Sequence, residues 1–176
     1  MVFLVGFMGS GKTSVGRDVA ERLGCAFIDL DERIERAAGC SIAEIFERQG
    51  EAAFRDLEQQ ELRRVLEEGR GARAVVALGG GAFAQPRNAE AIDEAGALTV
   101  WLDAPADVLL ARCGPVRDDR PLARDPERFA SLHRGRLPFY ARAAVHVDAA
   151  QPLPAVVELV LAAIHQSGRA PGEAQA

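Results

Sequence analysis

Short, largely apolar runs recur along the chain and are separated by longer stretches of mixed character. Residues 2–5 are entirely apolar, and further runs lie at 26–31, 74–78, 98–102 and 143–147. Apolar runs of this length are typical of strands buried on both faces, as in a parallel sheet. The pattern therefore predicts five strands, and the run at 26–31 is the one that ends in acidic residues.

Helical spacing dominates the stretches between these runs. Apolar residues at 15, 19, 20 and 23 share one helical face, and Gly24 ends that helix. Ser41 and Glu44 form a capping-box pattern that predicts another helix start. Further helices are predicted at 52–68, 105–110, 127–136 and 153–164. Strands alternating with helices predict an α/β fold, a three-layer sandwich with a five-stranded parallel sheet between two layers of helices.

Two stretches lack a periodic apolar pattern. Residues 113–126 contain three prolines and charges of both signs, which predicts a mobile loop, a candidate lid. Residues 167–176 have little to bury, which predicts a flexible C-terminal tail. We expect residues 1–166 to form a single domain, because a domain usually has ~100–200 residues.

Composition excludes several classes of protein. The net charge of −5, from 21 basic and 26 acidic residues, argues against a nucleic-acid-binding surface built on bulk charge. No apolar run approaches the ~20 residues that span a bilayer. Three cysteines at positions 25, 40 and 113 show no metal-ligand spacing and fit reduced thiols. We therefore expect a cytoplasmic protein without nucleic-acid or membrane partners, and a monomer, since no long exposed apolar stripe is evident.

One glycine-rich stretch carries a specific chemical signal. Residues 6–13, GFMGSGKT, match the phosphate-binding pattern G-x-x-x-x-G-K-[ST] and lie between a predicted strand and a predicted helix. Glycines let the backbone turn so that successive N–H groups face phosphate oxygens, and the helix start adds positive potential. The alternative is a chance glycine turn before a helix. The predicted nucleotide contacts are Gly9, Ser10, Gly11, Lys12, Thr13 and Ser14.

Lys12 is the only lysine among the 21 basic residues of the chain. Its compact ammonium on a flexible stem reaches β- and γ-phosphates, where the wide fork of arginine fits poorly. The position of the single lysine therefore supports nucleotide triphosphate binding and a catalytic role for Lys12. The Thr13 hydroxyl is the expected protein ligand of Mg²⁺, which would accompany the triphosphate.

Two acidic residues follow at the end of the second predicted strand. Asp29 and Asp31 are two positions apart, so both carboxylates could face one crevice. Carboxylates near a triphosphate suggest Mg²⁺ binding and orientation of an attacking hydroxyl. The alternative is a negatively charged helix start formed by Asp31 and Glu32.

Several further stretches appear in a fixed order behind the phosphate loop. They are DLD at 29–31, GEAAFRDLE at 50–58, LGGGAF at 78–83, RP at 120–121 and RLPFY at 136–140. In this order and spacing the chain resembles the shikimate kinase family from about residue 2 to residue 166. The resemblance implies a nucleoside-monophosphate-kinase-like fold. It also implies transfer of the ATP γ-phosphoryl group to the 3-hydroxyl of shikimate, with Mg²⁺ as cofactor.

The resemblance also assigns roles to individual residues. It implies that Asp31 contacts the substrate hydroxyls and is the candidate base, whereas Asp29 holds the metal through water. It implies that Arg55 and Arg136 bind the substrate carboxylate and that Glu58 orients Arg55. The alternative for Arg55 and Glu58, which are three positions apart, is a surface ion pair.

A glycine run after the third predicted strand is assigned in the same way. By resemblance, Gly79, Gly80 and Gly81 line the shikimate pocket. Missing side chains would let a ligand approach the backbone there. The alternative is a flexible turn.

Arginines near the predicted lid complete the implied site. The resemblance implies that Arg120 enters on lid closure to neutralise the transferring phosphoryl group, although spacing alone cannot separate it from Arg117 and Arg124. Arg112 resembles a residue that packs on adenine, and the alternative is a cation at a helix C-terminus. Residues 148–154 lack the basic residue that often contacts adenine in the family.

Two other functions remain open at this point. A kinase for another small hydroxy acid, such as gluconate, could use the same arginine pair. A nucleotide-binding regulatory module without catalysis is a second alternative, although it would be expected to lose some of the implied site residues. The histidines have no predicted catalytic partner, and His133 has no assigned role.

Overall fold

The computed structural model describes residues 1–113 and 125–168. In chain order the elements of this part are β1 (Val2–Val5), α1 (Lys12–Arg22), β2 (Ala26–Asp29), α2 (Leu30–Ala38), α3 (Ile42–Glu68), β3 (Ala74–Ala77), a 3₁₀ turn (Ala82–Ala84), α4 (Pro86–Glu94), β4 (Leu98–Asp103), α5 (Ala106–Cys113), α6 (Pro126–Tyr140), β5 (Val145–Asp148) and α7 (Leu153–Gln166).

The strands form one parallel sheet in the order β2-β3-β1-β4-β5. β1 is central, with Leu4 aligned to Ala77 of β3 and Val100 of β4. All four β1 residues are buried, Val2 and Leu4 in one apolar cluster and the intervening Phe3 in another. The short apolar runs therefore reflect burial on both faces of the sheet.

Helices cover both faces. Residues of α1 and α7 pack in the cluster that contains Val2 and Leu4. Residues of α2, α3, α4, α5 and α6 pack in the cluster that contains Phe3. The predicted three-layer α/β fold is confirmed. Because the strands are parallel, their carboxyl ends share one edge of the sheet, and such edges hold the ligands of α/β proteins.

The predicted strand at 26–31 is wrong at its end. β2 stops at Asp29, and Asp31 already lies in the first turn of α2. Asp29 caps that helix, since its Oδ1 accepts a hydrogen bond from the Asp31 backbone N–H at 3.1 Å. The acidic helix start considered as an alternative is therefore present. The Asp31 side chain nevertheless lies at the carboxyl edge of the sheet, because its Oδ1 would be 2.5 Å from a Cβ built on Gly79.

Other predicted boundaries shift as well. α3 begins at Ile42, where the Ser41–Glu44 capping box predicts a helix start, and continues into the helix predicted at 52–68 across a kink at Gly50, which has φ 80° and ψ 175°. The last strand is Val145–Asp148 rather than 143–147. Helix α4, of nine residues, was not predicted, and α2, also of nine residues, was considered only as the alternative of an acidic helix start.

The predicted lid and tail fall largely outside the described residues. Cys113 ends α5, Asp125 caps α6 and Pro126 opens it, so three residues assigned to the loop belong to helix ends. Residues 114–124 and 169–176 are not described. Within 1–113 and 125–168 no helix has the length and apolar character needed to cross a membrane.

Candidate active site

The loop between β1 and α1 has the backbone of a phosphate-binding turn. Gly6, Gly9 and Gly11 have φ of 143°, 80° and 89°, a region that side chains disfavour. Gly11 is the N-cap of α1, and no side chain caps this helix end. A helix start that the N-cap side chain does not cover is a suitable position for an anion.

Two of these glycines are also required by space. A Cβ at Gly6 would lie 2.6 Å from the carbonyl oxygen of Leu102, and one at Gly9 would collide with the carbonyl oxygen of Leu109. The same Gly9 Cβ would lie 3.1 Å from the Cys113 sulfur. The loop is therefore packed directly against the end of β4 and against α5.

Lys12 is the first residue of α1, and its side chain folds back over the loop. Nζ donates to the carbonyl oxygens of Gly6 at 2.9 Å and Phe7 at 3.0 Å, and lies 3.5 Å from Ser10 Oγ. The loop therefore holds the ammonium above its own backbone. This arrangement brings the single lysine and the uncapped helix start together at one anion-binding surface.

Thr13 and Asp29 present a pair of oxygen ligands beside the loop. Thr13 Oγ1 donates to Asp29 Oδ2 at 2.8 Å. Mg²⁺ prefers oxygen ligands, retains waters and usually takes only one or two protein groups together with substrate phosphates. The described residues contain no group of three or more His, Cys, Asp or Glu placed to hold a metal. A hydroxyl and one carboxylate beside a phosphate loop fit a nucleotide-bound Mg²⁺.

The carboxyl group of Asp31 lies in a charged and largely buried position. Burial raises its pKa from 3.8 to about 6, and the neighbouring Asp29 and Glu35 add to the rise. Lys12 and Arg55 act in the opposite direction on this pKa. Asp31 is therefore mostly ionised at neutral pH while its pKa stays near the range that suits a general base.

Arg55 of α3 and Arg136 of α6 meet at Gly81. A Cβ built on Gly81 would lie 2.8 Å from Arg55 Nη2 and 3.2 Å from Arg136 Nη1. Arg136 Nη1 also donates to the Gly81 carbonyl oxygen at 3.3 Å. Two guanidinium groups from distant parts of the chain thus converge on one point, and such a pair has the charge and the donors that suit a carboxylate.

Buried Glu58 holds one of these arginines in place. Arg55 Nη1 lies 3.0 Å from both Glu58 carboxylate oxygens, and Nη2 lies 3.2 Å from Glu51 Oε1. The Glu58 side chain is only 1% exposed, so the alternative of a surface ion pair is wrong. Burial raises the pKa of Glu58, whereas Arg55 lowers it.

The glycine run after β3 fits closely against these charged groups. A Cβ at Gly79 would lie 2.5 Å from Asp31 Oδ1. At Gly80 the nearest atom would be at an ordinary 3.7 Å, and its carbonyl oxygen accepts a hydrogen bond from Tyr140 Oη. Gly79 and Gly81 therefore leave room for Asp31 and the arginine pair, which a merely flexible turn would not require.

Arg112, in the last turn of α5, binds the loop after β5. Its guanidinium donates to the carbonyl oxygens of Ala149 at 2.6 Å, Ala150 at 3.0 Å and Gln151 at 3.1 Å. Arg112 therefore fixes the backbone of the segment that was considered for adenine contacts.

Comparison with known proteins agrees with this geometry. The profile of the family described as shikimate kinase matches residues 8–165. A shikimate kinase from Ruegeria pomeroyi is 45% identical over 168 residues, which cover 93% of this chain and 84% of that protein. This chain belongs to the shikimate kinase family.

Solved structures of shikimate kinases have the same fold. The enzyme from Aquifex aeolicus superposes with a TM-score of 0.84 at 33% identity, covering 95% of this chain and 97% of that one. Shikimate kinase from Acinetobacter baumannii in complex with shikimate gives 0.84 at 34% identity, covering 94% and 93%. A gluconokinase from Sinorhizobium meliloti gives 0.60 at 24% identity, covering 96% and 93%, a likeness of fold alone. The predicted resemblance is confirmed, and the gluconate alternative is not favoured.

The site residues predicted from the sequence fall into three groups according to where the structure places them. Most of them lie at the carboxyl edge of the sheet, around the loop at 6–13 and the turn at 79–81. Ser14 follows Thr13 in the first turn of α1 and is exposed. Arg117, Arg120 and Arg124 lie outside the described residues.

Three residues near the shikimate kinase site were missed. Asn88 is fully buried and contacts Glu58, Tyr140 binds the Gly80 carbonyl oxygen, and His133 packs edge-on against Phe7 of the phosphate loop. Two of them had a signal in the sequence, because Asn88 is the only asparagine and Tyr140 the only tyrosine. No pattern in the sequence pointed to His133.

Proposed function

We propose that this chain is an ATP-dependent shikimate kinase that transfers the γ-phosphoryl group of ATP to the 3-hydroxyl of shikimate, a step towards chorismate and the aromatic amino acids. The observation that carries the proposal is the convergence of Arg55 and Arg136 over Gly81. Two guanidinium groups there suit the single carboxylate of shikimate. A related enzyme of 34% identity has been solved in complex with shikimate, which supports this acceptor.

The donor half of the proposed site binds ATP. Backbone N–H groups of the loop at 6–13 and the Lys12 ammonium would hold the phosphates. Thr13 and Asp29 would hold Mg²⁺, which when bound neutralises negative charge on the β- and γ-phosphates. Arg112 would help to shape the part of the site that binds adenine, because it holds the backbone of residues 149–151 in place.

The acceptor half orients shikimate. Arg55 and Arg136 bind its carboxylate, while the Gly79–Gly81 backbone allows the ring to approach closely. Asp31 contacts the hydroxyl groups and accepts the proton that the 3-hydroxyl loses as its oxygen attacks the γ-phosphorus. Its pKa of about 6 leaves it ionised at neutral pH and able to take that proton.

Several expectations stay predictions. Arg120 is proposed to stabilise the transferring phosphoryl group, with Arg117 and Arg124 as alternatives in the same segment. The lid at 113–126, the monomeric state, the cytoplasmic location and the absence of nucleic-acid partners belong to the same proposal.

The acceptor is tested by measuring ADP release with ATP and Mg²⁺. Shikimate, gluconate and a nucleoside monophosphate are offered separately, and the product with shikimate is identified by its phosphorylated position. We expect turnover with shikimate and only background hydrolysis with the others. Turnover with gluconate alone would contradict the proposal.

Arg136→Ala tests the arginine pair. We expect the affinity for shikimate to fall about 10²-fold, because Arg55 alone cannot hold the carboxylate from both sides. Binding of ATP, measured by calorimetry, should be unchanged. Arg134→Ala is the matched control, since Arg134 is exposed on the same helix. Equal shikimate affinity in the two variants would remove Arg136 from the acceptor site.

A further inference from the structure

Asn88 lies under the acceptor half of the site, in α4. Its side chain is completely buried. Nδ2 donates to the carbonyl oxygen of Ala82 at 3.1 Å and lies 3.4 Å from Glu58 Oε2. One amide group therefore contacts α3 and the turn after β3 at the same time.

Both partners of this amide lead directly to the arginine pair. Glu58 binds Arg55 Nη1 through both carboxylate oxygens. Ala82 follows Gly81, whose carbonyl oxygen accepts from Arg136 Nη1. Asn88 thus links the carboxylate that holds one guanidinium to the backbone against which both guanidinium groups rest.

The orientation of the amide is determined by its surroundings. A flipped side chain would point Oδ1 at a carboxylate and a carbonyl oxygen, and neither can donate. In the observed orientation both acceptors face Nδ2, and Oδ1 has no hydrogen-bond partner in the described part of the chain. A leucine, which has the same number of side-chain heavy atoms and the same branching, would avoid this unpaired buried oxygen. The two N–H donors, rather than packing, therefore explain an asparagine at this position.

We propose that Asn88 is a positioning residue for the acceptor, which sets the distance between the Glu58–Arg55 pair and the Gly81 backbone and so holds the two guanidinium groups at the spacing of one carboxylate. The inference rests on the proposed shikimate kinase function and extends it to a residue that does not contact the substrate.

Asn88→Leu removes both donors and keeps the number and branching of the side-chain heavy atoms. We expect the KM for shikimate to rise about tenfold, the magnitude of one buried hydrogen-bond loss. The KM for ATP should stay within about twofold, since the phosphate loop is not contacted. Asn88→Thr, which retains one donor, should give a smaller rise and serves as the test if the leucine variant does not fold.

Ile92→Ala provides the matched control. Ile92 is fully buried one helical turn further along α4 and belongs to the apolar core. This variant should lower the melting temperature at least as much as Asn88→Leu and leave the shikimate KM unchanged. If both variants raise the shikimate KM in proportion to lost stability, Asn88 is only structural and the proposal fails.

A double-mutant cycle identifies the path of the effect. If Asn88 acts through Glu58, Asn88→Leu in a Glu58→Gln background should raise the shikimate KM less than twofold further. A full tenfold rise in that background would overturn the proposal. If the wild-type protein released no ADP in response to shikimate, the proposed function would be wrong. If the wild type were active and Asn88→Leu had a normal KM for shikimate, only this inference would be wrong.

Discussion

The phosphate loop at 6–13 and the glycine turn at 79–81 both depend on glycine, but for different reasons. Each of the three loop glycines has a positive φ. None of the three turn glycines does, and two of them instead leave space for charged groups of other elements. In the first region glycine supplies a backbone conformation, and in the second it supplies room.

The two regions also differ in how far their partners lie along the chain. Within the described residues, Lys12 Nζ donates to the carbonyl oxygens of Gly6 and Phe7 and lies near Ser10 Oγ, contacts that span at most six positions. The turn at 79–81 meets side chains from α2, α3 and α6, between positions 31 and 140. A local site can be read from a contiguous motif, whereas the acceptor site exists only once the sheet and helices are assembled.

Lys12→Arg tests the donor half and has the largest expected effect. The guanidinium is wider than the ammonium that Gly6 and Phe7 hold, so it cannot take the same position. We expect kcat/KM to fall about 10²–10³-fold. The control is the reverse exchange Arg17→Lys on the same helix, where an exposed side chain pairs with Glu32 and little change is expected. Equal losses in steady-state assays of both would contradict a special role for lysine.

Asp31→Asn tests the carboxylate that interacts electrostatically with both Lys12 and Arg55. The raised pKa of about 6 means that the folded state favours the protonated carboxyl. The contribution of Asp31 to the stability of the folded state is therefore complete below about pH 4, and it is lost as the pH rises through about 6. Asparagine resembles the protonated form and cannot accept a proton, so this variant should lose about 10²-fold in kcat yet be more stable at pH 7.5 by up to about 3 kcal/mol.

Urea unfolding at two pH values checks this prediction. The stability difference between Asp31→Asn and wild type should be large at pH 7.5 and disappear near pH 4. Asp93→Asn, at an exposed position of α4, should change stability little at either pH. A difference that is independent of pH would show that removal of the charge is not the cause.

Gly81→Ala tests the role of space and has the smallest expected effect. The added Cβ would meet only the ends of the Arg55 and Arg136 side chains, which can move without disturbing the fold. We expect about a tenfold higher KM for shikimate with nearly unchanged stability. Gly135→Ala is the control, because a Cβ at this position of α6 would have nothing within 4 Å and should leave the shikimate KM near wild type. Strong destabilisation by Gly81→Ala would indicate a conformational requirement instead.

Sequence patterns predicted five strands in a parallel sheet and the phosphate loop, and the motifs predicted the family. They failed at β2 because Leu30 prolongs an apolar run although its backbone is already helical. They missed α4, which buries only Asn88, Ala89 and Ile92 and so shows little periodicity. Periodicity reports burial, and burial alone does not separate a strand end from a helix start.

The acceptor side was predicted residue by residue only through family resemblance. Nothing local in the sequence places Arg55 and Arg136 together, since they are separated by 81 positions, from 55 to 136. The same limit applies to Asn88, whose partners lie on α3 and in the turn after β3. Such contacts form only when separate helices and strands pack together. No short stretch of the sequence therefore predicts them.

α6 touches both halves of the site with its buried side. Phe129 and His133 pack edge-on against Phe7 of the phosphate loop, while Arg136 and Tyr140 bind the turn at 79–81. The phosphate loop and the turn at 79–81 thus both rest on α6, so the position of this helix affects both halves of the proposed site. Substitutions in the apolar face of α6 would therefore misalign the γ-phosphorus of ATP and the 3-hydroxyl oxygen of shikimate, although the substituted residues contact neither substrate.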